Sequence, residues 1–130
     1  MERRLISGHS PYEGQVGFSR AVVFGQTVYV AGTAPIPADG SPPPEGAYEQ
    51  ARLCLEIIGE ALGRAGASFA DVVRTRIFVT DRDHYRDVAQ AHGEIFGEIR
   101  PASTAVVTAL LDPGWKVEIE AEAVIALRPE

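Results

Sequence analysis

The sequence predicts an α+β fold in the order β-β-α-β-α-β-β, with two helices on one face of a mixed sheet of about five strands. Three observations carry this. Ser19 to Gly32 holds two β-rich runs around Gly25-Gln26. Two amphipathic helical stretches, Tyr48 to Ala65 and Asp83 to Phe96, bracket a further strand. The C-terminal stretch V-E-I-E-A-E-A-V alternates apolar and acidic side chains at the period of two that an extended chain produces. Two helices of this length cover one face only. The other face carries apolar groups as well as carboxylates, so association is expected to bury it.

The elements follow in order. Residues 1–16, with Gly8, Ser10, Pro11 and Gly14, show no clean period and read as an arm or irregular strand. Ala21–Phe24 and Thr27–Ala31 flank Gly25-Gln26, a hairpin signal. Five prolines and two glycines between Pro35 and Gly46 make a surface loop. Leu55, Ile58 and Leu62 recur at helical spacing, Leu53 and Ile57 widen the stripe, and Gly66 suits the C′ position that ends a helix. Val73, Thr75, Ile77 and Val79 then alternate with Arg74, Arg76 and Phe78, as a strand requires. In the second helix Tyr85, Val88, Ala89, His92 and Phe96 share a face, Asp81 or Asp83 supplies the N-cap, and Gly97 closes it. The last two strands, Ser103–Leu110 and Trp115–Ala126, are expected to be joined by a short turn at Asp112-Pro113-Gly114. With no internal repeat or linker, residues 1–130 are expected to form one domain.

Composition narrows the function. A chain with 45% apolar and 23% charged residues is ordinary for a soluble globular protein. A net charge of −6 argues against a general nucleic-acid binder, which would carry a basic face. The one cysteine, Cys54, precludes an internal disulfide framework and reads as a small buried apolar group among Leu53, Leu55 and Ile58. No apolar run has signal-peptide character or approaches the roughly 20 residues of a membrane span, so the expectation is a cytoplasmic protein without a membrane partner.

Few residues stand out as chemistry-bearing. His9, His84 and His92 do not fall at metal-ligand spacing, and no metal or cofactor is expected. Phosphate-binding glycine loops and a G-x-S-x-G elbow around Ser10, Ser19, Ser103 or Thr104 are missing. The carboxylates of Glu118, Glu120 and Glu122 would all point to one face of the final strand, where like charges in a row need cations, protons or water. A carboxylate on a central strand lacking such a partner has a raised pKa and suits a general base or proton donor. The plainer reading is a solvated face or an ion pair with Arg20, Arg74 or Arg76. Both readings stay open for Glu118, and the plainer one is favoured for Glu120 and Glu122.

The runs P-A-S-T-A-V, A-L-L-D-P and K-V-E-I-E-A-E-A resemble the C-terminal signature of the Rid family, also called YjgF. G-F-S-R-A-V-V-F-G-Q-T-V-Y-V-A-G-T-A-P-I is similar to that family's N-terminal block, and A-G-A-S-F-A-D-V-V-R-T-R-I-F-V-T-D to its middle block. The resemblance spans almost the whole chain. It implies a chorismate-mutase-like fold assembling as a homotrimer, with the sheets inward and three small-molecule clefts between subunits. It also implies hydrolysis of reactive enamines and imines to 2-keto acids and ammonia, an arginine in P-x-R-S/T gripping the substrate carboxylate. Here Ser103 stands at that arginine's position. Phe18 matches a family tyrosine, Ala31 a serine and Ala89 an asparagine, while Gly32, Thr104 and Glu118 match directly. Glu118 corresponds to the carboxylate believed to orient the attacking water.

A serine hydroxyl has one donor and no charge, so losing the guanidinium would weaken carboxylate binding on the order of a hundredfold. Arg20 is the candidate for a relocated cation, ahead of Arg76 and Arg100, although it could equally serve the carboxylate row. Three functions compete. The first is a Rid-type hydrolase acting on a substrate other than the usual 2-imino acids, with Glu118 catalytic and Ser103, Thr104, Gly32, Phe18, Ala31 and Arg20 around the ligand. The second is a non-catalytic trimer binding a metabolite or protein. The third and least favoured is RNA cleavage, since acidic balance and nucleic-acid binding are poorly matched.

Overall fold

The computed structural model describes residues 2–126. Its strands are β1 (Arg3–Ile6), β2 (Ala21–Phe24), β3 (Thr27–Thr33), β4 (Val72–Val79), β5 (Ala102–Val107) and β6 (Val117–Val124). The helices are α1 (Tyr12–Val16), α2 (Ala47–Arg64) and α3 (Tyr85–Phe96), with single 3₁₀ turns before β4 and α3. The strands form one mixed sheet in the order β1-β2-β3-β6-β4-β5, in which β4 and β5 are parallel and every other pair antiparallel. The α+β class is therefore as expected, with β1 adding a strand. The core lies between the sheet and α2 and α3, built on Leu55, Ile58 and Leu62 from α2, Val88 and Phe96 from α3, and Ile77, Val117 and Ile119 from the sheet.

Local chemistry explains most element boundaries. Gly25 takes φ 63 while Gln26 does not enter positive φ, the pattern of a primed two-residue turn with glycine first, and Phe24 pairs directly with Thr27. Gly66, with φ 87, ends α2 as expected: its N–H donates to the Gly63 carbonyl, and the Ala67 N–H to the Leu62 carbonyl, the two bonds of a Schellman close. Asp81, not Asp83, is the cap ahead of α3, its carboxylate accepting from the Asp83 N–H at 2.8 Å.

Several expectations are corrected. The last two strands are not neighbours. β6 inserts between β3 and β4 and β5 pairs only with β4, so residues 108–116 cross over rather than turn tightly. A hairpin was the local reading of Asp112-Pro113-Gly114, but a parallel partner for β5 cannot be inferred from a turn. Val73 is exposed, because a bulge between Val72 and Arg74 shifts the alternation and buries Val72 in its place. Tyr85 also lies exposed, at the solvent-facing start of α3, and Ala91 takes a buried position on that helix. Gly97 has ordinary right-handed dihedrals; the chain leaves the helix at Arg100, with φ 55, whose N–H donates to the Phe96 carbonyl.

Candidate functional site

On β6 the three carboxylates do share one face, since Val117, Ile119, Ala121 and Ala123 are buried on the other. Their neighbours separate them. Glu120 lies opposite Arg76 on β4, and one guanidinium nitrogen of Arg76 donates to Glu120 at 2.7 Å and to Glu122 at 3.2 Å. Both carboxylates thus share one cation, in a partly exposed pairing of modest energetic value. Glu118 lies opposite Phe78, which offers no charge. Among the described residues no cation comes within ion-pair distance of it. Burial therefore raises the Glu118 pKa above its ordinary value, opposed by the field of Arg20 and reinforced by that of Glu120.

The other side of Glu118 is shaped by β3. A register shift between Val30 and Thr33 leaves Thr33 fully buried and turns Gly32 toward β6. A Cβ on Gly32 would stand 3.2 Å from Glu118 Oε1, so the carboxylate occupies the space that a side chain would take. The Gly32 carbonyl accepts from Arg20 at 2.6 Å. Arg20 is 5% exposed, lies 5.8 Å from the Phe18 ring centroid, and feels the charges of Glu13 and Glu118, while burial lowers its pKa. Its Nε is the one buried side-chain polar atom among the described residues without a hydrogen-bond partner.

Arg20, Gly32, Ala31, Phe18 and Glu118 line one cleft of about 520 Å³, closed by Ser10 and Tyr12 from the N-terminal segment, Ile36, and Asp112 and Trp115 from the crossover. Ser10 was weighed in the sequence only as a nucleophile, and the other four escaped the site reading because no clean period marks the segments that carry them; the lone tryptophan beside a D-P-G turn was the available signal for Trp115. Gln50 was missed too. It is a fully buried amide in the first turns of α2, donating to the Pro44 and Gly114 carbonyls at 2.8 and 3.0 Å and accepting from the Lys116 N–H at 2.7 Å. It ties both loops that flank the cleft to the helix.

Ser103 and Thr104 lie elsewhere in the chain, on the edge strand β5, two strands from Glu118. In register with Thr75 and Arg76, they point to opposite faces of the sheet. Ser103 Oγ accepts from Thr75 Oγ1 at 2.8 Å, and Thr75 Oγ1 lies 2.9 Å from His92 Nε2. One hydroxyl has one hydrogen, so Thr75, giving it to Ser103, accepts from His92, which must carry its proton on Nε2. Ser103 is left with its own hydrogen to offer outward. Burial lowers the His92 pKa, keeping the ring neutral.

Other candidates are absorbed by the fold. Cys54 is fully buried and burial pushes its thiol pKa up, the opposite of a reactive cysteine. Arg76 is engaged by Glu120 and Glu122, and Arg100 sits exposed at the end of the α3 connection. Among the described residues, no group of three or more His, Cys, Asp or Glu side chains is placed to hold a metal ion, and no helix is long and apolar enough to cross a membrane.

Residues 8–125 match the family model described as endoribonuclease L-PSP. The crystal structure of Rv2704 from Mycobacterium tuberculosis, described as a member of the YjgF/YER057c/UK114 family, superposes with a TM-score of 0.86 at 46% identity, over 95% of this chain and 100% of that one. The 2-iminobutanoate/2-iminopropanoate deaminase of Capra hircus is 35% identical over 94% of this chain and 90% of its own length. E. coli TdcF, solved with bound serine, superposes with a TM-score of 0.79 at 27% identity, over 95% of this chain and 94% of that one. With a family model covering nearly the whole chain and this fold in common, the protein belongs to the YjgF (Rid) family.

Proposed function

We propose that the protein is a homotrimer that hydrolyses reactive imines or enamines in clefts at its subunit interfaces, with Glu118 handling the proton of the attacking water. One observation carries this reading: Glu118 is held half-buried, without a paired cation, in an apolar cleft beside a buried arginine, while its two strand neighbours share the guanidinium of Arg76. A carboxylate made more basic by desolvation is suited to general base work. The naming of a similar deaminase and the serine bound in TdcF support a small nitrogen-containing ligand.

In the proposed step, with the buried Arg20 guanidinium lending a positive field beside Glu118, the attacking water donates to the Glu118 carboxylate. Its oxygen bonds to the iminium carbon, the C=N π pair moves to nitrogen, and Glu118 takes the water proton, giving a neutral carbinolamine. Glu118 then returns that proton to nitrogen. The C–N bond breaks, the hydroxyl hydrogen follows, and the products are a carbonyl compound and ammonium, with no redox change. Gly32 makes room for the carboxylate, Phe18 and Ala31 wall the ligand, and β5 of a neighbouring subunit closes the cleft, with Ser103 facing the ligand through its side chain and Thr104 through its backbone. The exposed edge of β5, with Val106 and Val107 solvent-facing in the isolated chain, is the surface that the neighbour would cover.

The test is ammonia release from a panel of imines made in situ by amino-acid and amine oxidases. Acceleration by the wild type, reduced about 10²–10⁴-fold in Glu118→Gln, is expected. Equal rates in both proteins across the panel would end the hydrolase reading. RNA cleavage, the activity in the matched family's description, is less well supported, because the net charge is −6 and the cleft has one cation against two carboxylates.

A further inference from the structure

We infer that the cleft selects ligands that lack a carboxylate, namely the imines of apolar or aromatic amines rather than those of amino acids; this rests on the site proposed above. The charged residues that this chain contributes to the cleft are Arg20, Asp112 and Glu118, a sum of +1 − 2 = −1. Arg20 does not offset this for a ligand. One of its terminal nitrogens is committed to the Gly32 carbonyl at 2.6 Å, the side chain is 5% exposed, and Glu13 adds a further negative field behind it. A carboxylate entering here meets two like charges at reduced dielectric and no free bidentate fork from this chain.

The same field favours a cation. An iminium carries its charge on the C=N unit that water attacks, so placing it beside Glu118 both binds the ligand and draws the reacting carbon to the base. The rest of the cleft is built for hydrocarbon. Tyr12, Phe18, Ile36 and Trp115 present ring and branched aliphatic surface, and Phe18 is 37% exposed, a large apolar side chain left open to a ligand. An aryl or alkyl group attached to the imine carbon has a surface to cover, whereas a carboxylate in the same place finds no free cation on this chain.

The protein contains one tryptophan, Trp115, and it lines this cleft, so its fluorescence reports occupancy without any need for turnover. The probes are phenethylamine and phenylalanine, which differ only in the carboxylate. Phenethylamine is expected to titrate Trp115 at least tenfold more tightly, and Asp112→Asn, which removes one of the two lining carboxylates, to narrow that ratio. Equal or tighter binding of phenylalanine would overturn the inference, as would binding of neither probe at millimolar concentration. A parallel assay compares ammonia release from the imines that amine and amino-acid oxidases make from the same pair. Faster hydrolysis of the phenylalanine imine contradicts this inference while leaving the hydrolase reading intact. Discrimination in binding with hydrolysis of neither imine contradicts only the hydrolase reading.

Discussion

The Oε1 of Glu118 stands 3.2 Å from the point where a Cβ on Gly32 would be, closer than an ordinary van der Waals contact. The two residues come from adjacent strands, and the register shift in β3 is what aims the glycine at the carboxylate. In Gly32→Ala the carboxylate must move or the strands must part. The expected outcome is a loss of hydrolytic rate of at least tenfold, a shifted midpoint in the pH–rate profile, and a stability cost of about 1–3 kcal/mol in urea denaturation.

Glu118 also leaves a signature in stability. Its folded pKa is raised above the ordinary value of 4.5, first by burial, so the fold favours the protonated form. The wild type is therefore relatively most stable at acid pH and loses stability as pH rises from the ordinary value through the raised one. Glu118→Gln cannot ionise and escapes that loss. Its melting temperature relative to wild type should rise between pH 4 and pH 7, and a difference that stays flat or falls would contradict the burial of this charge.

Ser103→Arg places a guanidinium where the family resemblance locates one. If a neighbouring subunit supplies Ser103 to the cleft, the variant should bind carboxylate ligands more tightly by on the order of tenfold or more, read by Trp115 fluorescence with phenylalanine. No change would separate Ser103 from the cleft.

Thr75 links Ser103 to His92 through hydrogen bonds of 2.8 and 2.9 Å. Nitrogen NMR of the wild type should show His92 neutral with its proton on Nε2. Thr75→Val should abolish that preference and cost about 1–2 kcal/mol, since a fully buried hydroxyl between two polar groups is lost.

Gln50→Leu tests the loop tether. Removing the amide orphans the Gly114 carbonyl and the Lys116 N–H, a cost of about 2–4 kcal/mol. Trp115, adjacent to both, is expected to shift its emission to the red as the crossover loosens.

The period-two carboxylates on β6 and the helical stripe of α2 were legible in sequence because each depends on short-range alternation. The Gly25-Gln26 turn and the Gly66 helix end were legible for the same reason, since one glycine decides each. The order of strands was not. Nothing local to residues 102–124 states that β6 passes between β3 and β4, or that β5 runs parallel to β4. The site divided along the same line. Glu118, Gly32 and Arg20 lie on strands or beside them and were identified by alternation and resemblance, whereas Asp112 and Trp115 enter the cleft through the crossover's path. Arg20 was a candidate partner for the carboxylate row, yet that task fell to Arg76, because strand register places Arg76 opposite Glu120.

The central position of β6 has a consequence for how the molecule comes into being. Among the described residues every other strand precedes β6, yet β6 alone joins the β1-β2-β3 half of the sheet to the β4-β5 half. A nascent chain emerging from the ribosome can form the hairpin and the two helices, but it holds two sheet fragments with open edges until β6 is released. Glu118 arrives with that strand. The cleft therefore cannot exist in any partial product of synthesis, and a chain truncated before Val117 should expose both edges to aggregation rather than persist as a smaller folded unit.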